Sequence, residues 1–262
     1  MSKKEITAQN KTVLEFDSFF SDIYGQVWPL LRASLQEENK SVPFIFPGHN
    51  KAYFMDQASI IAAQTLPIFA GDRVLDLCAA PGGKTLILAS FLSSDSTLIA
   101  NELSALRRER LRRVIAEHVP ADIQARIQIT RHDASRWCLY EKNIYNAILL
   151  DAPCSSERHL VAQGEEKQWS QKRSKALAIR QYAMLASAIE ALQPNGVVLY
   201  STCSISPFEN DGVIEKLLKK KKTQVQIEKI CKDQGQATKH GWIILPHVRG
   251  HGPMYFCLIK KL

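Results

Sequence analysis

Short apolar segments alternate with longer helix-like ones from residue 73 onward, and this alternation restricts the chain more than any other feature. RVLDL (73–77), TLIAN (97–101), RIQIT (126–130), YNAILLD (145–151) and VVLYST (197–202) have the length and apolar content of strands. Between them lie a segment running through Phe91, then LSALRRERLRRVIAEH (103–118) and QKRSKALAIRQYAMLASAIEAL (171–192), all of helical length. YNAILLD is continuously apolar, as expected of a strand covered on both faces. The pattern predicts an α/β fold, a mainly parallel sheet with helices on both faces. Ligands of such sheets bind beyond the carboxyl ends of the strands. A helix is expected near 207–219, and late strands at VQIEKI, WIILP and MYFCLIKK. Upstream, residues 1–14 read as loose and 16–38 as a helix bent at Pro29. Residues 39–53 read as a loop holding Pro43, Pro47 and Gly48, and 56–69 as a helix.

Charge narrows the partners. The 262 residues carry 34 Lys+Arg against 26 Asp+Glu, a net charge of +8, which suggests a polyanion such as nucleic acid. No apolar run is long enough to span a bilayer, so no membrane partner is expected. The N-terminus lacks the apolar stretch of a secretory signal, and Glu5 argues against a transit peptide, so the expected location is cytoplasmic. The six cysteines are widely and irregularly spaced with no CxxC pair, which argues against structural zinc and against a disulfide framework.

LDLCAAPGGKT (75–85) follows the first of these strands and opens a helix, with glycines that let a ligand approach the main chain. A phosphate-binding P-loop would need glycine where Cys78 stands, and no G-x-G-x-x-G is present. LDLCAAPGGKT, LLDAPCSS (149–156) and YSTCSIS (200–206), in this order, resemble the Nop/Sun family of RNA cytosine-5 methyltransferases. The resemblance runs from about Tyr53 to the C-terminal GPMYFCLIKKL. YFMD at 53–56, SSERH at 155–159 and GPMYFC at 252–257 look closest to the mitochondrial ribosomal-RNA branch.

The resemblance implies a Rossmann-like S-adenosylmethionine-dependent methyltransferase domain over 53–262, with a small N-terminal extension of helix and loop over 1–52. It implies that Cys78, Ala79, Ala80, Pro81, Gly82, Gly83 and Lys84 wrap the methionine and ribose of S-adenosylmethionine. Glu102 ends a strand where a carboxylate can accept hydrogen bonds from ribose hydroxyls. Arg107 matches an arginine that supports the cofactor site, and Asp133 an acid beside the adenine. His132 is expected to be structural or solvated. No metal is expected in the site.

Carbon 5 of cytosine is a poor nucleophile, and covalent catalysis by a thiolate at carbon 6 is the usual remedy. Cys154 and Cys203 follow the ends of two strands that can be neighbours. The resemblance implies Cys203 as nucleophile and Cys154 as the residue that helps release product. Asp151 is expected to hold the ring nitrogen and exocyclic amine of cytosine, as a buried acid able to keep its proton, and also to reach the cofactor. Lys84 is expected near the substrate, where its cation would favour a thiolate.

The target cytosine must be unpaired or flipped out. Arg107–Arg113, Lys167, Lys172, Arg173, Lys175 and Lys219–Lys222 are candidate phosphate contacts. Trp169, Tyr140 and Phe44 are candidate stacking residues, with a core role favoured for each. SSERH stands where most of the family has Ser-Gly-x-Gly, which favours a ribosomal-RNA substrate over the general family substrates, with transfer RNA as the alternative. A further alternative is an RNA-binding assembly factor with dispensable activity. With no separate RNA-binding domain evident, selection is expected from the catalytic domain, a protein partner or a ribosomal particle.

Overall fold

The computed structural model describes the backbone of residues 3–262 and side chains from Val13 onward. The chain starts with α1 (Lys3–Tyr24), a 3-10 turn at Gly25–Val27 and α2 (Trp28–Gln36). The break in the helix expected over 16–38 falls at Gly25, whose φ is +54°, rather than at Pro29, which sits in the first turn of α2 where its missing N–H is not needed. The expectation of a loose 1–14 is corrected from Lys3 on, which is helical; residues 1–2 lie outside the described residues. A hairpin of β1 (Ser41–Ile45) and β2 (Ala52–Asp56) follows, where a loop was expected. α3 (Gln57–Ala63) is capped by Asp56, whose carboxylate accepts the Ala58 N–H at 2.7 Å.

The alternating part then runs β3 (Arg73–Asp76), α4 (Gly83–Ala89), β4 (Thr97–Asn101), α5 (Ala105–His118), α6 (Ala121–Gln124), β5 (Ile127–Thr130) and β6 (Tyr145–Asp151). It continues with α7 (Glu157–Ala162), α8 (Gln171–Ala191), β7 (Leu192–Thr202), α9 (Asp211–Lys221) and β8 (Val225–Glu228). β9 (Gln236–Ala237), β10 (Trp242–Ile244), α10 (Pro246–Arg249) and β11 (Met254–Lys261) complete the chain. The sheet order is β5-β4-β3-β6-β7-β11-β10-β9, parallel from β5 to β7, with β11 antiparallel against β7. β8 and β10 share the outer edge of β11. Sequence order reverses at β3, which has β4 on one side and β6 on the other, and this switch point opens the crevice where ligands of such sheets bind.

Strand side chains alternate between two core layers. Leu75, Ile148, Leu150, Val198 and Tyr200 face α1, α2, α8 and α9, whereas Val74, Ala147, Leu149 and Leu199 face α3, α4 and α5. Each fully buried leucine contributes about 1.5–3 kcal/mol relative to exposure. The N-terminal helices join the first layer: Phe16, Phe20, Trp28 and Trp169 pack ring against ring, with centroids 4.9–5.9 Å apart. Arg32 ties this unit down through ion pairs with Asp17 at 3.1 Å and Glu166 at 2.5 Å.

Candidate active site

The loops after β3, β4 and β5 enclose a cleft of about 340 Å³. Glu102 and Asp133 face it, Arg107 stands at its rim, and Leu77, Cys78 and Ala134 supply apolar wall. Glu102 is 5 % exposed, accepts the Ser104 N–H at 2.8 Å and pairs with Arg107 at 3.4 Å. Arg107 also donates to the Ala80 carbonyl at 2.6 Å, so it braces the β3 loop against the β4 loop. Burial works against the charge of Asp133, but the N–H and hydroxyl of Ser135 and the charge of Arg180 outweigh it and hold the carboxyl below its ordinary value. Asn101 bridges strand ends by donating to the carbonyls of Leu77 and His132 at 3.0 and 2.9 Å. Asn101 and Arg180 both line the cleft; neither carries a recognisable local motif.

A second pocket of about 130 Å³ adjoins it through Cys78 and is lined by Ala79, Ala80, Pro81, Gly83, Lys84 and Asp151. Gly82 lines neither space. Its φ is +122°, and a Cβ there would meet Val114 Cγ1 at 2.8 Å, so this glycine serves the turn and helix packing. Asp76 was not anticipated. It is 1 % exposed, accepts the Thr85 hydroxyl at 2.7 Å through Oδ2, and leaves Oδ1 without a hydrogen-bond partner among the described residues. Burial, reinforced by the charge of Asp151, pushes its carboxyl up to about 7. An unpaired carboxylate oxygen in a small pocket fits a cationic group such as an ammonium, and the neighbouring cleft with two carboxylates and apolar walls fits a nucleoside.

The thiols lie above β6 and β7. Asp151 pairs in register with Ser201, so the residues just beyond these strands, Cys154 and Cys203, meet with Sγ–Sγ 3.0 Å. The hydrogen bond from Cys154 lowers the Cys203 pKa; Ser156, 3.1 Å from its sulfur, and the charge of Lys84 act the same way, against burial and the charge of Asp151. The same contact and burial push Cys154 well above the ordinary thiol value. Of the two, Cys203 is the thiol whose surroundings favour the thiolate. It opens onto a groove of about 700 Å³ that also meets Asp56, Ser59, Ser156, Arg158 and Pro253.

Lys84 donates to Asp151 Oδ2 at 2.7 Å and to Ser59 at 3.3 Å, and Ser201 donates to Asp151 Oδ1 at 2.9 Å. Burial disfavours the Lys84 ammonium, but Asp151 outweighs it and leaves its pKa above the ordinary value. The expectation of a buried acid at Asp151 is corrected. Its side chain is 31 % exposed and ion-paired, and the buried acid of this region is Asp76.

The basic and aromatic candidates divide. Arg112 pairs with Glu109 at 3.3 Å, Arg108 donates to the Glu102 and Leu103 carbonyls, and Lys221 is ion-paired with Glu190. Trp169 is core, Phe44 packs beneath the hairpin, and Tyr140 remains exposed beside His132. No described helix is long and apolar enough to cross a membrane.

An open, mainly parallel sheet with a cleft at its switch point and a thiol pair beside it has the Rossmann-like fold of methyltransferases. The chain belongs to the 16S rRNA methyltransferase RsmB/F family, whose model it matches over residues 63–260. It is 35% identical over 229 residues to the 5-cytosine rRNA methyltransferase NSUN4 of Bos taurus, a match spanning 80% of this chain and 59% of that protein. It is 30% identical over 224 residues to a mitochondrial tRNA (cytosine(34)-C(5))-methyltransferase of Danio rerio, spanning 80% of this chain and 60% of that one. The chain thus spans about three-fifths of the length of these curated relatives. The solved structure of NSun6 from Pyrococcus horikoshii with SFG superposes with a TM-score of 0.69 at 27% identity, covering 80% of this chain and 53% of that one.

Proposed function

We propose that this chain methylates carbon 5 of a cytosine in ribosomal RNA, using S-adenosylmethionine and a covalent Cys203–RNA stage. The observation that carries the reading is the pair of thiols 3.0 Å apart, of which Cys203 is lowered and opens onto the large groove. The likeness to an rRNA cytosine-5 methyltransferase and to an enzyme crystallised with SFG, an S-adenosylmethionine analogue, supports substrate and cofactor.

Glu102 and Asp133 would hold the nucleoside part, and Asp76 and Asp151 the ammonium end. When bound, S-adenosylmethionine supplies an electrophilic methyl group on sulfonium. The Cys203 thiolate adds to cytosine carbon 6, which moves electron density onto carbon 5 and makes it nucleophilic. Asp151, held between Lys84 and Ser201, keeps free lone pairs for the exocyclic amine of the base. After carbon 5 is methylated, loss of its proton expels Cys203 and returns the electron pair to sulfur. That proton passes to solvent, and Cys154, which keeps its S–H because its pKa stands above the ordinary thiol value, can hydrogen-bond to the departing Cys203 thiolate and assist its release.

Bisulfite sequencing of RNA from cells with and without this protein tests the reading. The expected result is one or more ribosomal-RNA cytosines whose protection disappears with the protein. Loss of protection confined to transfer RNA would move the substrate to the class named for the Danio rerio relative.

A further inference from the structure

Two fully buried glutamates lie behind the thiols, outside the residues used above. Glu157 and Glu209 are each 0 % exposed. Glu157 sits on the Cys154 side, three residues along. Its Oε1 accepts the hydroxyls of Ser155 and, at 3.1 Å, Ser204, and its Oε2 accepts the Ile205 N–H at 3.1 Å. Glu209 sits on the Cys203 side, six residues along. It accepts the Ser155 N–H at 3.0 Å, the Gln181 amide at 2.8 Å and the Ser174 hydroxyl at 2.7 Å. Each carboxylate thus reaches across to the loop carrying the other cysteine. Ser155 and Ser204, the residues directly after the cysteines, also lie 3.0 Å apart, hydroxyl to hydroxyl.

Burying one carboxylate without a cation is costly, and two together more so. No lysine, arginine or histidine hydrogen-bonds to either acid among the described residues. The titratable groups facing Glu157 are Glu209, Cys154 and Tyr24, and Tyr200 faces Glu209. A hydrophobic filler would hold the layer together at lower cost, so packing alone does not account for the acids. Their geometry does: six donors, four of them from Ser155, Ser204 and Ile205 within two residues of Cys154 and Cys203, converge on them.

The geometry points to Glu157 and Glu209 as positioning residues that lock the two cysteine loops into one unit, so that the Cys154 S–H stays aimed at Cys203. This rests on the reading of Cys203 as nucleophile. Burial and the neighbouring Glu209 charge push Glu157 up to about 7, and the nearby charge of Glu157 helps keep Cys154 protonated.

The test reads thiol chemistry rather than methyl transfer. Each cysteine of the whole protein is alkylated with iodoacetamide from pH 6 to 10, and labelling of Cys203 and Cys154 is followed peptide by peptide. Wild type should label Cys203 about tenfold faster than Cys154 near neutral pH, one unit of thiol pKa. Glu157→Ala should bring that ratio to within about twofold and move the Cys203 midpoint upward. Glu157→Gln, which keeps the shape and an acceptor oxygen, should restore most of the ratio. If Glu157→Ala does not fold, Ser204→Ala removes one strap alone and should lower the ratio in the same direction. An unchanged ratio in the folded Ala variant, or in Ser204→Ala where that variant stands in, overturns the proposal. Faster labelling of Cys154 than Cys203 in wild type instead overturns the nucleophile assignment and leaves the strap to be judged by the variants' change in ratio.

Discussion

Cys78 and Cys203 are both thiols at the carboxyl edge of the same sheet, and their surroundings drive them in opposite directions. Cys78, in the cofactor cleft, is raised by burial and then by the charges of Asp76, Asp151 and Glu102. Cys203, above β7, is lowered by the Cys154 S–H, by Ser156 and by the charge of Lys84. One region is walled by main chain and carboxylates and suits cationic and hydroxyl-bearing groups. The other adds hydroxyls, a second thiol and an ammonium to the same Asp151 carboxylate, and favours a thiolate. Burial is common to both, so the neighbours decide which cysteine reacts.

The hardest way to break this contrast is to remove each thiol in turn. Cys203→Ala should lower methyl transfer by at least about a thousandfold and abolish RNA adducts on denaturing gels. Cys154→Ala should still attack RNA but stall, accumulating an adduct. The double variant should show none. Cys78→Ala should leave adduct chemistry intact. An adduct in Cys203→Ala and none in Cys154→Ala would reverse the assignment of the two sulfurs.

Lys84 touches both regions, so removing its charge sharpens the comparison. Lys84→Met strips Asp151 of its cation and Cys203 of a favourable charge, and should lower the rate at neutral pH by about a hundredfold. The Cys203 thiolate forms as pH rises through its lowered pKa, so the rate should climb with pH below the ordinary thiol range. Without Lys84 that pKa moves up, and the climbing limb should shift to higher pH. An unshifted limb would mean that Cys154 and Ser156 alone set the thiolate.

The cleft was far more legible in the sequence than the thiol pocket's support. Cys78 to Lys84 are contiguous, and glycines beside a strand end have few other uses, so the lining could be read directly; only Gly82 turned out to serve packing. Strands β3, β4 and β6 were readable because both their faces are apolar. The hairpin β1–β2 was not: Pro43, Pro47 and Gly48 look like loop, and its strands are only partly buried. Asp76, Glu157 and Glu209 were missed because an acid in a sequence looks like a solvated acid. Their burial depends on hydroxyls and amides brought in from α4, α8 and the loop after β7. The reach of Tyr24 to the Ile205 carbonyl at 2.7 Å, linking the N-terminal helix to the Cys203 loop, has no sequence signal either.

Glu102→Ala acts on the cleft alone. Losing the carboxylate that faces the cleft should weaken S-adenosylmethionine by about ten- to a hundredfold, or 1.4–2.8 kcal/mol. The melting-temperature rise at fixed ligand should shrink accordingly. The alkylation preference for Cys203 over Cys154 should not move. A change in that preference would show that the two regions are coupled rather than merely adjacent.

The smallest effect separates the regions by proton linkage. The Asp76 carboxyl is raised from 3.8 to about 7, so between those values the folded chain keeps a proton that the unfolded chain has released. Its contribution to stability is therefore complete below about pH 4 and is lost as pH rises through about 7. Glu157, raised to about 7 in the thiol region, acts in the same window and with the same sign. Urea unfolding of the ligand-free protein at pH 5, 6 and 7 should show stability falling with pH, by at most about 1.4 kcal/mol per unit for each group. Asp76→Asn keeps an acceptor for the Thr85 hydroxyl but cannot titrate, so about half of that slope should remain, carried by Glu157. A slope equal to wild type would mean that Asp76 is ionised in the folded protein with Oδ1 satisfied, and its claim on a cationic ligand would fall with it.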